Sequence, residues 1–329
     1  MKTGLDLEWI KESFPAALGT WVLGGMFQGG IDENEAIGTI HAALDFGIRL
    51  IDTAPLYGFG RTEQLVGKAL KQYGCREQII LATKCGLSWR EGKIFRDARK
   101  KILLEEIDRS LLKLGVDWID LYQLHWPDPL TPIFETAEAL EIMLRNGKIR
   151  AVGLSNFSAE ECAQFHDVLP IQSVQPPYNL FERMMGDSLL MQCREKSLLV
   201  LGYGTLCRGL LSGELKQNGP FRSDDLRSFD PKFQEPLFSK YTGCAERLSH
   251  WAKKKHDRSL LDLAFRWVLD RGALPLWGPQ NRKELVDLKS IKTWKLSTED
   301  FQEIDQIFAK SALEPMGTEF LAPPNRTDP

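Results

Sequence analysis

Apolar positions along the chain fall into two alternating rhythms. Short apolar runs that stop at a polar residue or a glycine give way to longer stretches in which apolar residues recur every three or four positions, the patterns of buried strands and amphipathic helices. Residues 15–21 (PAALGTW) predict a first strand, followed by a glycine-rich loop through Gly30. Ile37, Ile40, Ala43 and Leu44 then share one face of a helix over 33–46, with Asp32 as its N-cap and Gly47 as its stop. Leu50 and Ile51 open a second strand that Pro55 and Gly58 end, and Leu65, Val66, Ala69 and Leu70 mark the helix that begins at Thr62. Residues 79–84 (IILATK) form a third strand ending on a lysine.

The alternation continues through a loop containing Trp89 and Gly92, then a helix over 97–114 with Ile102, Leu103, Ile107, Leu111 and Leu114 as its buried stripe. Strands are predicted at 119–125, 148–156, 173–179 and 198–206, separated by helices at 133–145, 159–168 and 189–196. A connection over 206–241, rich in Gly, Pro, Ser and charge, exceeds an ordinary linker and is a candidate functional loop. Helical pattern resumes over 242–269 with a break near Asp257, followed by a strand at 273–278 and a short helix at 283–288. Ser297 and Asp300 look like a capping box for a final helix to 308, and the segment from Glu314 is a tail that drapes over a surface or stays disordered. The alternation predicts an α/β protein, a (β/α)8 TIM barrel occupying about residues 15–310 of a single domain, with 311–329 as its tail.

Composition narrows the partners rather than the fold. The formal net charge is −3 with both signs well mixed, which leaves no basic footprint for nucleic acid and no polybasic patch for a membrane, so the expected partner is a small molecule. The first residues, MKTGLDLEWIKESF, lack an apolar core of signal-peptide length, and no run of about 18 apolar residues occurs, so the chain is expected in the cytoplasm. The six cysteines lack CxxC spacing and suit reduced thiols better than disulfides or a metal site. Cys85 is expected to pack, since nothing local lowers its pKa selectively. Oligomeric state is not encoded in any of these patterns.

Candidate chemistry gathers at the strand ends: Asp52 and Tyr57 follow strand two, Lys84 closes strand three and His125 closes strand four. Taken singly, these residues also suit a turn cap, a packed loop aromatic, a solvated strand end and a core histidine. In a barrel, consecutive strands are neighbours, so the four should converge on one side of the C-terminal mouth, where barrel enzymes keep their active sites. Such a set suits carbonyl reduction. Hydride arriving at carbon leaves negative charge on oxygen, which needs a proton donor and a fixed hydrogen-bond donor. Tyr57 would be the acid. Lys84 would lower a phenol pKa of about 10 towards neutrality, Asp52 would hold Lys84, and His125 would orient the carbonyl. Two other functions stay open: a cofactor-binding regulatory subunit with little turnover, and a Schiff-base aldolase using Lys84.

At these residues the sequence resembles the aldo-keto reductase superfamily, over nearly the whole chain from about Ala17 to the helix after Asn281. The motifs are DTAPLY from Asp52, Lys84 closing its strand, YQLHWPDP from Tyr122, GLSNFS from Gly153, QPPYN from Gln175 and GYGTLCRGLLSG from Gly202. Their wording is most similar to the bacterial general-stress, inositol-utilisation and glycerol dehydrogenase-like branch. The resemblance implies a catalytic tetrad of Asp52, Tyr57, Lys84 and His125 and a nicotinamide cofactor, NADP(H) ahead of NAD(H), bound without a Rossmann domain. It implies that Ser155, Asn156 and Gln175 hold the carboxamide, that Tyr203 stacks on the ring, and that Gly19, Thr20, Trp21 and Asp52 approach the cofactor. It further implies that Thr205, Leu206, Arg208 and Gly209 follow the pyrophosphate, with Arg208 as the charge partner, and that Gly278, Gln280, Arg282 and Glu284 receive the adenosine and its 2′-phosphate.

Three positions depart from the family pattern: Gln280 stands where relatives usually carry arginine or lysine, Glu284 where they carry glutamine, and Glu214 where a lysine often follows LLSG. Arg282 is then the expected 2′-phosphate partner. Trp21, Phe27, Trp89 and Trp126 are the candidate wall of a pocket for a small carbonyl or polyol substrate.

Overall fold

The computed structural model describes residues 5, 10, 13–25, 31–183, 186–215, 221–223, 225–313 and 316–327; Phe27, in the glycine-rich loop, lies outside them. In chain order the strands are β1 (Ala17–Gly19), β2 (Leu50–Asp52), β3 (Ile80–Cys85), β4 (Leu87–Arg90), β5 (Lys93–Arg96), β6 (Leu121–Leu124), β7 (Val152–Ser155), β8 (Ser173–Gln175), β9 (Leu199–Gly202) and β10 (Leu274–Trp277). All but β4 and β5 close into one barrel in which each strand runs parallel to its neighbours, with β1 sealing the ring between β2 and β10. Among the described residues the helices from Glu33 onward are α1 (Glu33–Asp45), α2 (Arg61–Tyr73), α3 (Lys100–Leu114), α4 (Ile133–Arg145), α5 (Ala159–Val168), α6 (Gly186–Glu195), α7 (Leu237–His256), α8 (Leu260–Asp270) and α9 (Thr298–Ser311). The (β/α)8 barrel expected from the alternation is therefore the observed architecture.

Two apolar layers explain why the strands stand where they do. Ile40 and Leu44 of α1, Leu65 and Val66 of α2 and Leu103 and Ile107 of α3 pack in one cluster with strand residues such as Leu18, Ile51 and Leu81. A second cluster takes residues of alternate parity from the strands: Ala17, Leu50, Ile80, Ala82, Leu121, Leu201 and Leu276, with Ile10 from the N-terminal segment. This second set fills the barrel interior, and each fully buried large aliphatic side chain in it stabilises the fold by about 1.5–3 kcal/mol. Because side chains alternate along a strand, the residues two further on from Leu50, Ala82 and Leu121 also face inward. They are Asp52, Lys84 and Gln123. The polar site is thus one layer above an apolar plug.

The sequence reading differs from the structure in several places, each with a local cause. Residues 87–96, expected as loop, form an antiparallel hairpin with Leu87 opposite Arg96 and Arg90 opposite Lys93. Glu91 and Gly92, both at positive φ, make its two-residue turn, and strands of only four residues are too short to announce themselves by alternation. The helix expected from 242 starts at Leu237, so the long connection ends earlier and contains short 3-10 turns at Cys207–Gly209, Leu226–Ser228 and Pro231–Phe233. The break near Asp257 is real: it takes a left-handed conformation (φ 53°, ψ 43°) that ends α7, and Ser259 caps α8 with a capping box to Asp262. Ser297 and Asp300 form the expected box for α9. The short helix expected at 283–288 is a 3-10 segment over Glu284–Lys292.

The tail docks. Arg326 is buried and hydrogen-bonds Asp128, Thr131 and the Leu130 carbonyl, while Arg96 of β5 binds the Pro323 carbonyl through Nε (2.7 Å) and the Pro324 carbonyl through its backbone N–H (3.0 Å).

Candidate active site

Asp52 ends β2, Lys84 lies near the end of β3, and in register Asp52 pairs with Ala82, which sets Lys84 one inward step above it. Lys84 Nζ reaches Asp52 Oδ2 at 2.5 Å and Tyr57 Oη at 3.1 Å, with the Thr53 carbonyl at 3.2 Å as its third partner. The three donors of an ammonium are thereby all used. Asp52 and Lys84 are 2 % and 1 % exposed, so neither charge is solvated by bulk water and each depends on the other.

Tyr57 sits at the start of a 3-10 turn, Tyr57–Gly60, held by the Thr62 hydroxyl, which donates to the Tyr57 carbonyl at 2.9 Å. The turn packs backbone to backbone against the loop after β1: a Cβ on Gly58 would come within 2.7 Å of the Gly24 carbonyl oxygen, and Gly58 itself has φ 59°, so only glycine fits there. That contact brings the Trp21 ring to 5.2 Å from the Tyr57 ring. His125 follows β6, and its ring meets Tyr57 edge-on at 5.9 Å.

The protonation states follow from burial and charge together. Burial pulls the Lys84 pKa down, but Asp52 and Tyr57 more than compensate, leaving it above the ordinary lysine value, so Lys84 is an ammonium at neutral pH. For Tyr57 burial is the largest effect and raises the pKa; Lys84 opposes it and Asp52 adds to it, with a net rise above 10. The expected lowering by Lys84 is therefore present but outweighed, because a phenolate at this buried position loses more hydration than one ammonium returns. Burial, and secondarily Lys84, hold the His125 pKa well below its usual value, so its imidazole is neutral and offers one N–H. Cys85 is buried with its thiol pushed well up, a packing residue as expected. Among the described residues no cluster of His, Cys, Asp and Glu has the arrangement of a metal site.

One functional neighbour escaped the sequence reading. Gln123 Nε2 donates to Asp52 Oδ1 at 2.9 Å, and Gln175 Nε2 donates to the same oxygen at 2.9 Å. The signal was available, since Gln123 is a polar side chain at an inward position of a strand whose other inward residue, Leu121, is apolar. The candidate pocket wall assembles: Trp21, Trp89 and Trp126 pack around Ala54, Leu56, Tyr57 and Leu87, joined by Ile94 of the unexpected hairpin. Phe59 adds a ring 5.5 Å from Trp89.

The residues expected around a nicotinamide lie together beyond β7, β8 and β9. Asn156, at φ 65°, turns its side chain so that Nδ2 donates to the His125 carbonyl (2.8 Å) and Ser155 Oγ (3.1 Å), while Ser155 Oγ donates to the Gln175 carbonyl (2.9 Å). Tyr203 Oη donates to Asn156 Oδ1 at 2.7 Å and lies 3.2 Å from Thr318 Oγ1 of the tail, a residue without any sequence signal. Hydroxyl and amide groups beside a flat phenol ring match the polar pattern of a carboxamide-bearing aromatic ring, which would fit here by exchanging for some of the bonds these groups make to one another. Gly19 and Thr20 tie the first strand to the second: Gly19 pairs with Asp52 in register, and the Thr20 hydroxyl and N–H both donate to the Asp52 carbonyl at 3.0 Å.

The phosphate side is built differently. Thr205 ties its loop to β10 through the Leu276 carbonyl at 2.9 Å, and Leu206 accepts from the N–H groups of Gly209 and Leu211 at 2.9 and 3.1 Å. Arg208 is committed inward: Nη2 bonds Glu182 and Nε bonds Asp230 at 2.5 Å. Lys232 completes this buried group at 3.0 Å from Glu182 and 3.4 Å from Asp230. Gly278 lies beside Gly19, where a Cβ would stand 3.4 Å from the Gly19 carbonyl oxygen. Beyond it, the Glu284 carboxylate accepts from the Gln280 N–H and from Asn281 Nδ2, each at 3.1 Å, and Arg282 Nη2 is 3.3 Å from Glu35 Oε2 on α1.

Comparison with known proteins agrees with the barrel fold. The aldo/keto reductase family model matches residues 16–309. The chain is 48 % identical to an aldo-keto reductase, YhdN, of Bacillus subtilis (strain 168) over 319 residues, 96 % of each chain. It is 34 % identical to an NADH-specific methylglyoxal reductase of Escherichia coli (strain K12) over 274 residues, 78 % of this chain and 82 % of that one. Among solved structures it is similar to the glycerol dehydrogenase AKR11B4 from Gluconobacter oxydans, with a TM-score of 0.85, 43 % identity, and coverage of 92 % of this chain and 94 % of that one.

Proposed function

The chain belongs to the aldo/keto reductase family, oxidoreductases of NAD(P)H-dependent carbonyl reduction, and we propose that Tyr57 is the acid that protonates the carbonyl oxygen of a small aldehyde or ketone. The observation that carries this reading is the buried line Asp52–Lys84–Tyr57, with Lys84 Nζ 2.5 Å from Asp52 Oδ2 and 3.1 Å from Tyr57 Oη. When bound, the nicotinamide supplies the hydride in reduction and accepts it in alcohol oxidation. Ser155, Asn156 and Gln175 would hold its carboxamide, with Tyr203 against its ring.

The chain's own residues do the rest. Tyr57 arrives protonated, and its Oη gives its proton as negative charge develops on the substrate oxygen. Lys84 stabilises the phenolate left behind, an interaction stronger in the transition state than before it. Asp52 fixes Lys84 and balances its charge. Neutral His125 donates to the same substrate oxygen and orients it. Trp21, Trp89 and Trp126 exclude water and select a short aldehyde, hydroxyaldehyde or polyol. The aldolase reading requires a neutral nucleophilic amine, whereas Lys84 is held as ammonium by Asp52. The test is absorbance of the reduced nicotinamide in the presence of an aldehyde panel. Turnover with short aldehydes supports the reading. Cofactor binding without turnover on any of them would favour a regulatory subunit instead.

A second reading concerns which nicotinamide. The expectation of NADP(H) placed Arg282 on the 2′-phosphate. Two contacts favour NAD(H): Arg282 pairs with Glu35, and the carboxylate of Glu284 accepts the Gln280 N–H beyond β10. Barrels commonly seat phosphate after their last two strands. A carboxylate there accepts a ribose hydroxyl but repels a phosphate.

A further inference from the structure

The carboxylate of Asp52 is gripped from both sides by different chemistry. Oδ2 takes the Lys84 ammonium at 2.5 Å; Oδ1 takes two neutral amides, Gln123 Nε2 and Gln175 Nε2, each at 2.9 Å. The amides also hold one another, with Gln175 Nε2 3.2 Å from Gln123 Oε1. The strands dictate this layer. Gln123 is the register partner of Lys84 on β6, and Gly153 is its partner on β7. A Cβ at Gly153 would lie 2.9 Å from Gln123 Cγ, so the absence of a side chain there leaves room for Gln123 to extend across the barrel to Asp52. Gln123 is fully buried, and water is no substitute for its donor.

We propose that Gln123 is a positioning residue for proton transfer: by satisfying Asp52 Oδ1 without adding charge, it lets Lys84 divide its ammonium between Asp52 and Tyr57. The proposal rests on the reading of Tyr57 as the acid. The charged and titratable groups facing this layer are Asp52 from β2, Lys84 from β3, Tyr57 from the turn after β2 and His125 beyond β6; from β7 and β8 it meets Gly153, Ser173 and Gln175, which do not titrate. Without the Gln123 donor, Oδ1 keeps the Gln175 bond alone. Asp52 then draws the ammonium towards itself, Tyr57 loses part of its cationic support, and its phenol becomes a weaker acid.

Two full-length variants decide this, with kcat and KM for a short aldehyde followed across pH, cofactor dissociation constants by fluorescence, and melting temperature. Gln123→Leu should lower kcat about tenfold to a hundredfold, the range of one hydrogen bond to a charged group, with cofactor affinity unchanged to within about twofold. Its alkaline limb for reduction should move to higher pH. Gln123→Glu is the sharper arm. Protonated, the introduced carboxyl donates an O–H to Asp52 in place of the amide, so kcat should approach wild type at the acidic end. As pH rises the carboxyl ionises, above the ordinary carboxylate range because it is buried beside Asp52, and kcat should fall through a new limb that wild type lacks.

A Gln123→Glu profile parallel to wild type, or an undiminished kcat in Gln123→Leu, overturns the proposal. A Gln123→Leu chain that fails to fold leaves the decision to the new limb of Gln123→Glu, which a merely structural role does not produce. Retained turnover in Tyr57→Phe together with that new limb would remove the reading of Tyr57 and leave the coupling of Gln123 to Asp52 standing.

Discussion

Two buried charge clusters sit at the mouth of the same barrel and are built differently. On the β2–β3 side, one acid and one base, Asp52 and Lys84, leave a third direction of the ammonium aimed at Tyr57 Oη. On the side after β9, two acids and two bases, Glu182, Asp230, Arg208 and Lys232, close on one another, and Lys232 turns its remaining reach to the tail carbonyl of Gly317 at 3.2 Å. The Phe320 ring covers both cations, 5.6 Å from Arg208 and 5.5 Å from Lys232. Lys84 and Lys232 are equally buried, so burial alone does not distinguish catalysis from architecture. What distinguishes them is the partner at the open end: a phenol that can ionise, or a carbonyl and a ring that cannot.

The comparison predicts that equivalent deletions fail in different observables. Lys84→Met should cost the most, lowering kcat about a thousandfold or more while also leaving Asp52 a buried carboxylate without its cation, a loss of about 3–5 kcal/mol in stability. Denaturant unfolding beside steady-state kinetics checks both; near-normal kcat in a folded variant would put Lys84 in the architectural class. Arg208→Met strips one cation from the second cluster and should lower stability by about 3–5 kcal/mol through the same mechanism, with kcat unaltered in the folded fraction. If Arg208 instead grips the pyrophosphate, dissociation constants for NADH and NADPH will rise together, and the contrast between the clusters is lost. Glu284→Gln has the smallest effect, removing a charge beyond β10: NADPH should tighten about tenfold relative to NADH, measured by fluorescence quenching at fixed ionic strength. An unchanged ratio would return the 2′-phosphate to Arg282.

The same contrast explains what was legible in the sequence. Asp52, Lys84 and His125 could be placed in one candidate site because each stands at the end of an apolar run, and barrel topology brings the ends of consecutive strands together. Trp21 and Trp89 were named as pocket residues on type alone and do meet around Tyr57, but the hairpin that presents Trp89 was missed because its strands have four residues each. Gln123 shows in the sequence only as a polar residue at an inward position of its strand, and its role becomes readable once Asp52 is seen across the barrel. Arg208 stands within the GYGTLCRGLLSG motif, but its ion-pair partners in the structure, Glu182 and Asp230, lie 26 and 22 residues away, beyond the reach of a local reading. The tail was least legible: Arg326 finds Asp128 across 198 residues, a pairing no local rule contains.

The central claim is that Tyr57 transfers the proton and that Lys84 makes this possible. Tyr57→Phe tests it most directly, because the ring that packs against Trp21 and His125 stays while the transferable proton goes. With cofactor dissociation constants and kcat measured on the same preparation, unchanged binding with kcat reduced about a hundredfold to ten-thousandfold is the expected result. Wild-type kcat in that variant would contradict the account.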